Sequence, residues 1–137
     1  MSDEHEASNF GVISSIRGSV VDAHFPGLLP SVFSILRCGT KEAIVVEVME
    51  QIDQHRVRGI ALTATQGLAR GMVVRDTGKP LQAPVGKTII SRMFDVFGRA
   101  IDRQAEPTET EWRSVHRSPP SMYSRRPSSC ARAPARA

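Results

Sequence analysis

Val20-Val21-Asp22-Ala23-His24-Phe25-Pro26-Gly27 decides the fold. Val21, Ala23 and Phe25 fall on one side of an extended chain, and Asp22 and His24 on the other. Such alternation with period two marks a strand with one face buried and the other in water. Pro26 has no amide N–H to give a sheet and Gly27 accepts turn conformations, so the strand stops there.

The same grammar recurs on both sides of this stretch. Short β-branched runs at 11–16, 20–25, 32–38, 43–49, 56–62 and 72–75 are separated by Gly18, Pro26-Gly27, Pro30, Gly39, Gly67 and Gly71 or by polar residues. This spacing predicts an all-β unit, and six strands suit a small closed β-barrel. A unit of under about 80 residues buries a smaller share of its surface than a larger domain. Open strand edges would also invite pairing with other chains. Closure, or docking into an assembly, relieves both problems.

After Pro84 the period changes. Ile89, Ile90, Met93, Phe94 and Phe97 recur at i, i+1, i+4, i+5 and i+8, which predicts a short helix ended by Gly98. Its apolar stripe requires cover from the barrel or from a second domain. Residues 102–110 are polar, contain Pro107 and read as a loop, and Trp112 anchors a stretch that ends at Pro119-Pro120. From Ser121 onward only Ser, Met, Tyr, Arg, Pro, Cys and Ala occur, leaving nothing to bury, so 121–137 is expected to be a disordered basic tail.

Length and composition bound the function. The chain has 137 residues, 40% apolar and 23% charged, enough for one compact domain or a small domain with part of another. The formal charge of +4 hides an asymmetry: residues 1–112 hold 12 basic against 14 acidic groups, while 113–137 hold six arginines and no acid. Cys38 and Cys130 lie in regions of different composition with no ligand spacing, so neither a disulfide framework nor a Cys/His metal site is expected. No apolar run approaches the roughly 20 residues of a membrane helix. The N-terminus (Ser2, Asp3, Glu4, His5, Glu6) is acidic where a signal peptide is basic. These features predict a cytoplasmic location with membrane contact only through a partner.

The chemistry-bearing groups form no catalytic pattern. Gly86-Lys87-Thr88 resembles the end of a phosphate-binding loop, but Leu81 stands where the first glycine belongs, Pro84 lacks an amide and no clear buried strand precedes it. It reads as a domain-linking turn. His5, His24, His55 and His116 have no metal-ligand spacing, and Ser14-Ser15 lacks a nucleophile context. Glu42, Glu47, Glu50 and Asp53 read as groups on or beside exposed faces. Arg113, Arg117, Arg125, Arg126, Arg132 and Arg136 could attract phosphates, with Tyr123 alone available for base stacking.

Read as a series, the segments acquire a likeness. Gly11-Val12-Ile13 through Arg17-Gly18-Ser19-Val20-Val21-Asp22 and Phe25-Pro26 resembles the opening strands of the catalytic beta subunit of rotary ATP synthases. Val57-Arg58-Gly59-Ile60-Ala61-Leu62, Thr65-Gln66-Gly67-Leu68-Ala69-Arg70-Gly71 and Asp76-Thr77-Gly78 follow in that family's order. So do Pro84-Val85-Gly86-Lys87, Ser91-Arg92-Met93-Phe94-Asp95-Val96-Phe97-Gly98, Ile101-Asp102 and Trp112-Arg113-Ser114-Val115-His116-Arg117. Arg70-Gly71, Asp76-Thr77-Gly78 and His116-Arg117 favour beta over the related alpha subunit. Gln51-Ile52-Asp53, Ala64-Thr65-Gln66, Ser91-Arg92-Met93-Phe94-Asp95-Val96-Phe97 and Glu111-Trp112-Arg113-Ser114-Val115 look closer to the alternate, N-type bacterial subclass, thought to be sodium-linked. Glu50-Gln51-Ile52 departs from the family's usual Gln-His-Leu-like end of strand four.

The resemblance implies a six-stranded N-terminal barrel followed by the start of an α/β nucleotide-binding domain, with three such barrels alternating with three alpha barrels in a ring. The domains expected are a disordered N-terminus at 1–8, the barrel at 9–83, a linker and truncated start of the nucleotide-binding domain at 84–120, and the tail at 121–137. The tail replaces the family's hydrophobic segment and phosphate-binding loop, and reads as a frameshift.

The expected function is thus a truncated beta subunit of a proton- or sodium-linked synthase, peripheral to the membrane when assembled. Its barrel edges would pair with alpha-subunit barrels. No catalytic, cofactor-binding or metal residue of the family carries over, so the chain is expected to be no enzyme on its own, and ATP, ADP and magnesium belong to the full-length parent. The alternative is a free-standing barrel that binds nucleic acid through its basic tail.

Overall fold

The computed structural model describes residues 9–122. Six strands form a closed barrel: β1 (Asn9–Arg17), β2 (Val20–His24), β3 (Ser34–Cys38), β4 (Ile44–Gln51), β5 (Arg56–Ala61) and β6 (Val73–Pro80). Around the barrel the order is β1-β2-β5-β4-β3-β6, and β6 returns to pair with β1. Every neighbouring pair is antiparallel. The expected barrel is therefore present with all six strands.

The core follows from the alternation in β2. Val21, Ala23 and Phe25 are buried, and they pack with Ile13, Leu36, Val46, Val48, Val57 and Val74 from the other five strands. Gly18-Ser19 joins β1 to β2 in a two-residue turn, with Gly18 at φ 63, the conformation that such a tight hairpin favours at its first position. Three register shifts, one each in β1–β2, β4–β5 and β3–β6, let the sheet bend round to close. Ser34 is the one buried polar residue of the described core, and its hydroxyl donates to Asp76. Cys38 is also buried, which pushes its thiol up to about 11.

Closure corrects one expectation. Each barrel strand has a partner on both sides, so the barrel offers no free edge for another chain's strand. The barrel itself can meet a neighbour through its outer-face side chains or its loops, not by strand addition. The third strand also begins at Ser34 rather than at position 32, because Phe33 sits at φ 70 and interrupts extended geometry.

Beyond the barrel the structure departs from the periodicity reading. A two-stranded antiparallel ribbon pairs β7 (Gln82–Val85) with β8 (Glu111–Ser114), and neither strand was expected. The helix expected over 89–97 does not form. A single 3-10 turn at Lys87–Ile89 is followed by a hairpin in which Phe94 bridges Ala100. Asp95 causes this: its side chain accepts hydrogen bonds from the amides of Phe97 (2.9 Å) and Arg99 (2.8 Å), offering the backbone an alternative to helix. Ser91 at φ 63 breaks the run as well. Among the described residues there is no α-helix, and Ile90, Met93 and Val96 stay exposed. The expectations of disorder at 1–8 and of a frameshifted tail fall outside the described residues, apart from Ser121 and Met122.

The Asp102 carboxylate organises this hairpin. It binds the Arg92 guanidinium through both oxygens (2.5 and 3.1 Å) and accepts from the Gln104 amide (3.1 Å). Arg92 also donates to the Ala105 carbonyl at 2.7 Å. The Arg92 guanidinium holds the Asp102 carboxyl well below the usual carboxylate range. A group depressed by folding contributes stability above its unfolded value near about 4, and that contribution is lost as pH falls through the folded value. Amide exchange at Ile101, which donates to Met93, should therefore accelerate as pH drops below about 4, after correction for intrinsic rates. Asp102→Asn should exchange fast at neutral pH and show little of that dependence; an unchanged profile would refute the assignment.

Candidate interaction surface

The barrel's outer face carries paired charges. Asp22 on β2, Arg58 on β5 and Glu50 on β4 lie side by side in register. Arg58 bridges them, donating to Asp22 at 2.8 and 3.2 Å and to Glu50 at 3.3 Å. Arg75 on β6 grips Glu42 through both oxygens at 2.7 and 2.6 Å, which offsets its position directly opposite Arg37. Asp53 binds Arg56 at 2.6 Å and caps its turn by accepting from the amides of His55 and Arg56. Arginine hydrogen bonding lowers the pKa of Asp22 and Glu42, and the His55 amide leads the same effect at Asp53. Exposed pairs of this kind contribute little stability each.

Between these pairs lies an apolar patch. Val12 on β1 stands directly opposite Val73 on β6, and Phe10 lies two residues along β1 on the same face. Phe10 is 52% exposed and Val73 61%. Contiguous apolar surface rimmed by charge is the usual mark of a contact face.

The four carboxylates singled out from the sequence do not converge. Glu42 goes to Arg75, Glu50 to Arg58, Asp53 to Arg56, and Glu47 to His116 at 2.7 Å. His24 and His55 stack with ring centroids 5.8 Å apart above a shallow cavity shared with Asp53, Gln54 and Arg56. Among the described residues no three His, Cys, Asp or Glu side chains are placed to hold a metal ion. Gly86-Lys87-Thr88 follows the short, largely unburied ribbon strand β7 and leads into a three-residue 3-10 turn instead of the helix that a phosphate loop requires. Of the tail arginines, Arg113 pairs with Glu111 at 2.7 Å, and those from Arg125 onward lie outside the described residues. The Phe33–His116 stack, at 3.8 Å between ring centroids, had no signal in the sequence.

Fold and surface together define a small closed β-barrel domain with an apolar patch on its outer face. Residues 13–78 match the family model described as the beta-barrel domain of the ATP synthase alpha/beta family. Over this barrel, just under half of its length, the chain is similar to that family. It is 60% identical over 123 residues to ATP synthase subunit beta 2 of Shewanella frigidimarina, covering 89% of this chain and 26% of that protein. Identity is 55% over 115 residues to subunit beta 2 of Nitrosospira multiformis (84% and 24%). With subunit beta 1 of a Marinomonas species it is 56% over 124 residues (87% and 25%). The chain thus spans about a quarter of the length of the curated relatives it matches. Alignments of this length exceed everything up to Gly78, so the likeness continues into the ribbon. No helix among the described residues is long and apolar enough to cross a membrane.

Proposed function

We propose that this chain supplies the N-terminal barrel of an ATP synthase beta subunit, seated between alpha-subunit barrels in the ring of the catalytic head, on the cytoplasmic side of the membrane. The observation that carries this reading is the closed six-stranded barrel that matches the family's barrel domain, together with 54–60% identity to beta subunits. In this reading residues 9–83 are the barrel domain, and they contribute architecture rather than chemistry. Phosphoryl transfer needs a phosphate loop with its lysine, a metal and a group that orients water. No residue here is assigned to those roles, to a cofactor or to a metal.

Co-expression with alpha subunits tests the reading. This chain should co-purify with them, and Val73→Glu, placed in the apolar patch, should weaken the association roughly tenfold or more while leaving the barrel folded. Failure of the unmodified, folded chain to associate would refute the assembly role. Stoichiometric, magnesium-dependent ATP binding would refute the absence of a nucleotide site.

A further inference from the structure

The ribbon and its hairpin, residues 81–116, form a unit that the chain joins to the barrel through Leu81 and that touches the barrel through a polar contact at His116. Leu81 alone separates the end of β6 at Pro80 from the start of β7 at Gln82. The ribbon strands pair only with each other. A hydrogen bond crosses from this unit to the barrel between His116 Nε2 and Glu47 Oε1, at 2.7 Å. Elsewhere the seam is incompletely filled: a cavity of about 230 Å³ lies between Ile35, Arg37 and Val45 of the barrel and Phe97 and Trp112 of the strap.

At the crossing point the barrel carries an unusual backbone. Phe33 is an aromatic residue at φ 70, a conformation rare for bulky side chains and costly unless its surroundings enforce it. Its amide is tied to the Val48 carbonyl at 2.7 Å, and its ring lies nearly parallel to His116, 11° between planes. The carboxylate of Glu47, the neighbour of Val48 on β4, lies within hydrogen-bond distance of Nε2 of the same imidazole. Stacking orients the ring and the carboxylate fixes its Nε2, so each makes the other more effective.

We infer that residues 81–116 are a hinged strap, turning about Leu81 and held closed on the barrel by a clasp of Phe33, His116 and Glu47. Trp112, the protein's single tryptophan, lines the seam and reports its state. In the full chain, His116→Ala should raise the open population roughly tenfold, the scale of one lost hydrogen bond to a charged group. That opening should be read as a red-shifted Trp112 emission and greater quenching by acrylamide. Phe33→Gly is the second variant, because glycine accepts φ 70 without strain while removing the ring. It should open the strap to a similar extent, with barrel melting unchanged or raised, and adding His116→Ala to it should change little further.

Unaltered Trp112 quenching in both variants would overturn the inference. So would a change in quenching that appears only together with loss of barrel structure by circular dichroism, since the strap would then be part of the barrel's own cooperative unit. The readout concerns this chain alone, so its failure is distinguishable from failure to bind alpha subunits.

Discussion

Phe25→Ala should cost about 3–5 kcal/mol, the range for emptying a large aromatic from a packed core. Phe25 is the largest fully buried side chain and ends the alternating strand that organises the barrel. A domain of this size has a total stability of about 5–15 kcal/mol, so the loss removes a large share of it. Urea denaturation followed by circular dichroism should show a much lower midpoint with an unchanged slope. Phe10→Ala is the matched control: the ring is half exposed on the outer face, and its removal should shift stability by only about 0.5 kcal/mol. Equal effects at the two positions would mean that the inside and outside of the barrel have been assigned wrongly.

Gly59→Val should be comparably severe for a different reason. Gly59 lies on β5 opposite Val21 on one side and Val48 on the other. A Cβ there would stand 2.5 Å from the Glu47 carbonyl oxygen and 2.6 Å from a Val46 methyl. The first of these is backbone and cannot swing aside, so the strand pairing itself must shift. A cost of about 3 kcal/mol or more is expected, at the upper end of overpacking effects. Gly18 makes the contrast: a side chain there meets open space, and the penalty is only that of a left-handed conformation, about 1 kcal/mol. Thermal melts of Gly59→Val and Gly18→Ala separate the two causes, and similar melting temperatures would contradict the clash.

What was legible in the sequence follows the same division between local pattern and tertiary detail. Val21, Ala23 and Phe25 alternate cleanly, and every glycine break in the barrel is a local signal, so six strands could be read to within a few residues. The ribbon could not, because Gln82-Ala83-Pro84-Val85 contains a proline and shows no alternation. Its strand exists because Glu111–Ser114 lies alongside.

The helix reading at 89–97 erred where spacing alone was weighed. Ile89, Met93 and Phe97 have helical periodicity, yet Asp95 sits among them and its carboxylate takes the amides of Phe97 and Arg99. The surface was partly visible: Glu42, Glu50 and Asp53 lie on or near exposed faces as expected, whereas the Glu47 side chain is only 13% exposed beside His116, and the arginine partners of Glu42 and Glu50 are distant in sequence. Nothing local joins His116 to Phe33 and Glu47, which lie 83 and 69 positions earlier in the chain.

The seam between β1 and β6 has a temporal meaning. Asn9–Val12 meets Val73–Asp76, so the first strand made must wait for the last before the ring of strands is complete. Pairings this distant along the chain form slowly. At translation speeds of roughly 5–20 residues per second, a nascent chain would spend several seconds with its first strand unmatched. For that interval the unmatched edge is open to wrong pairings.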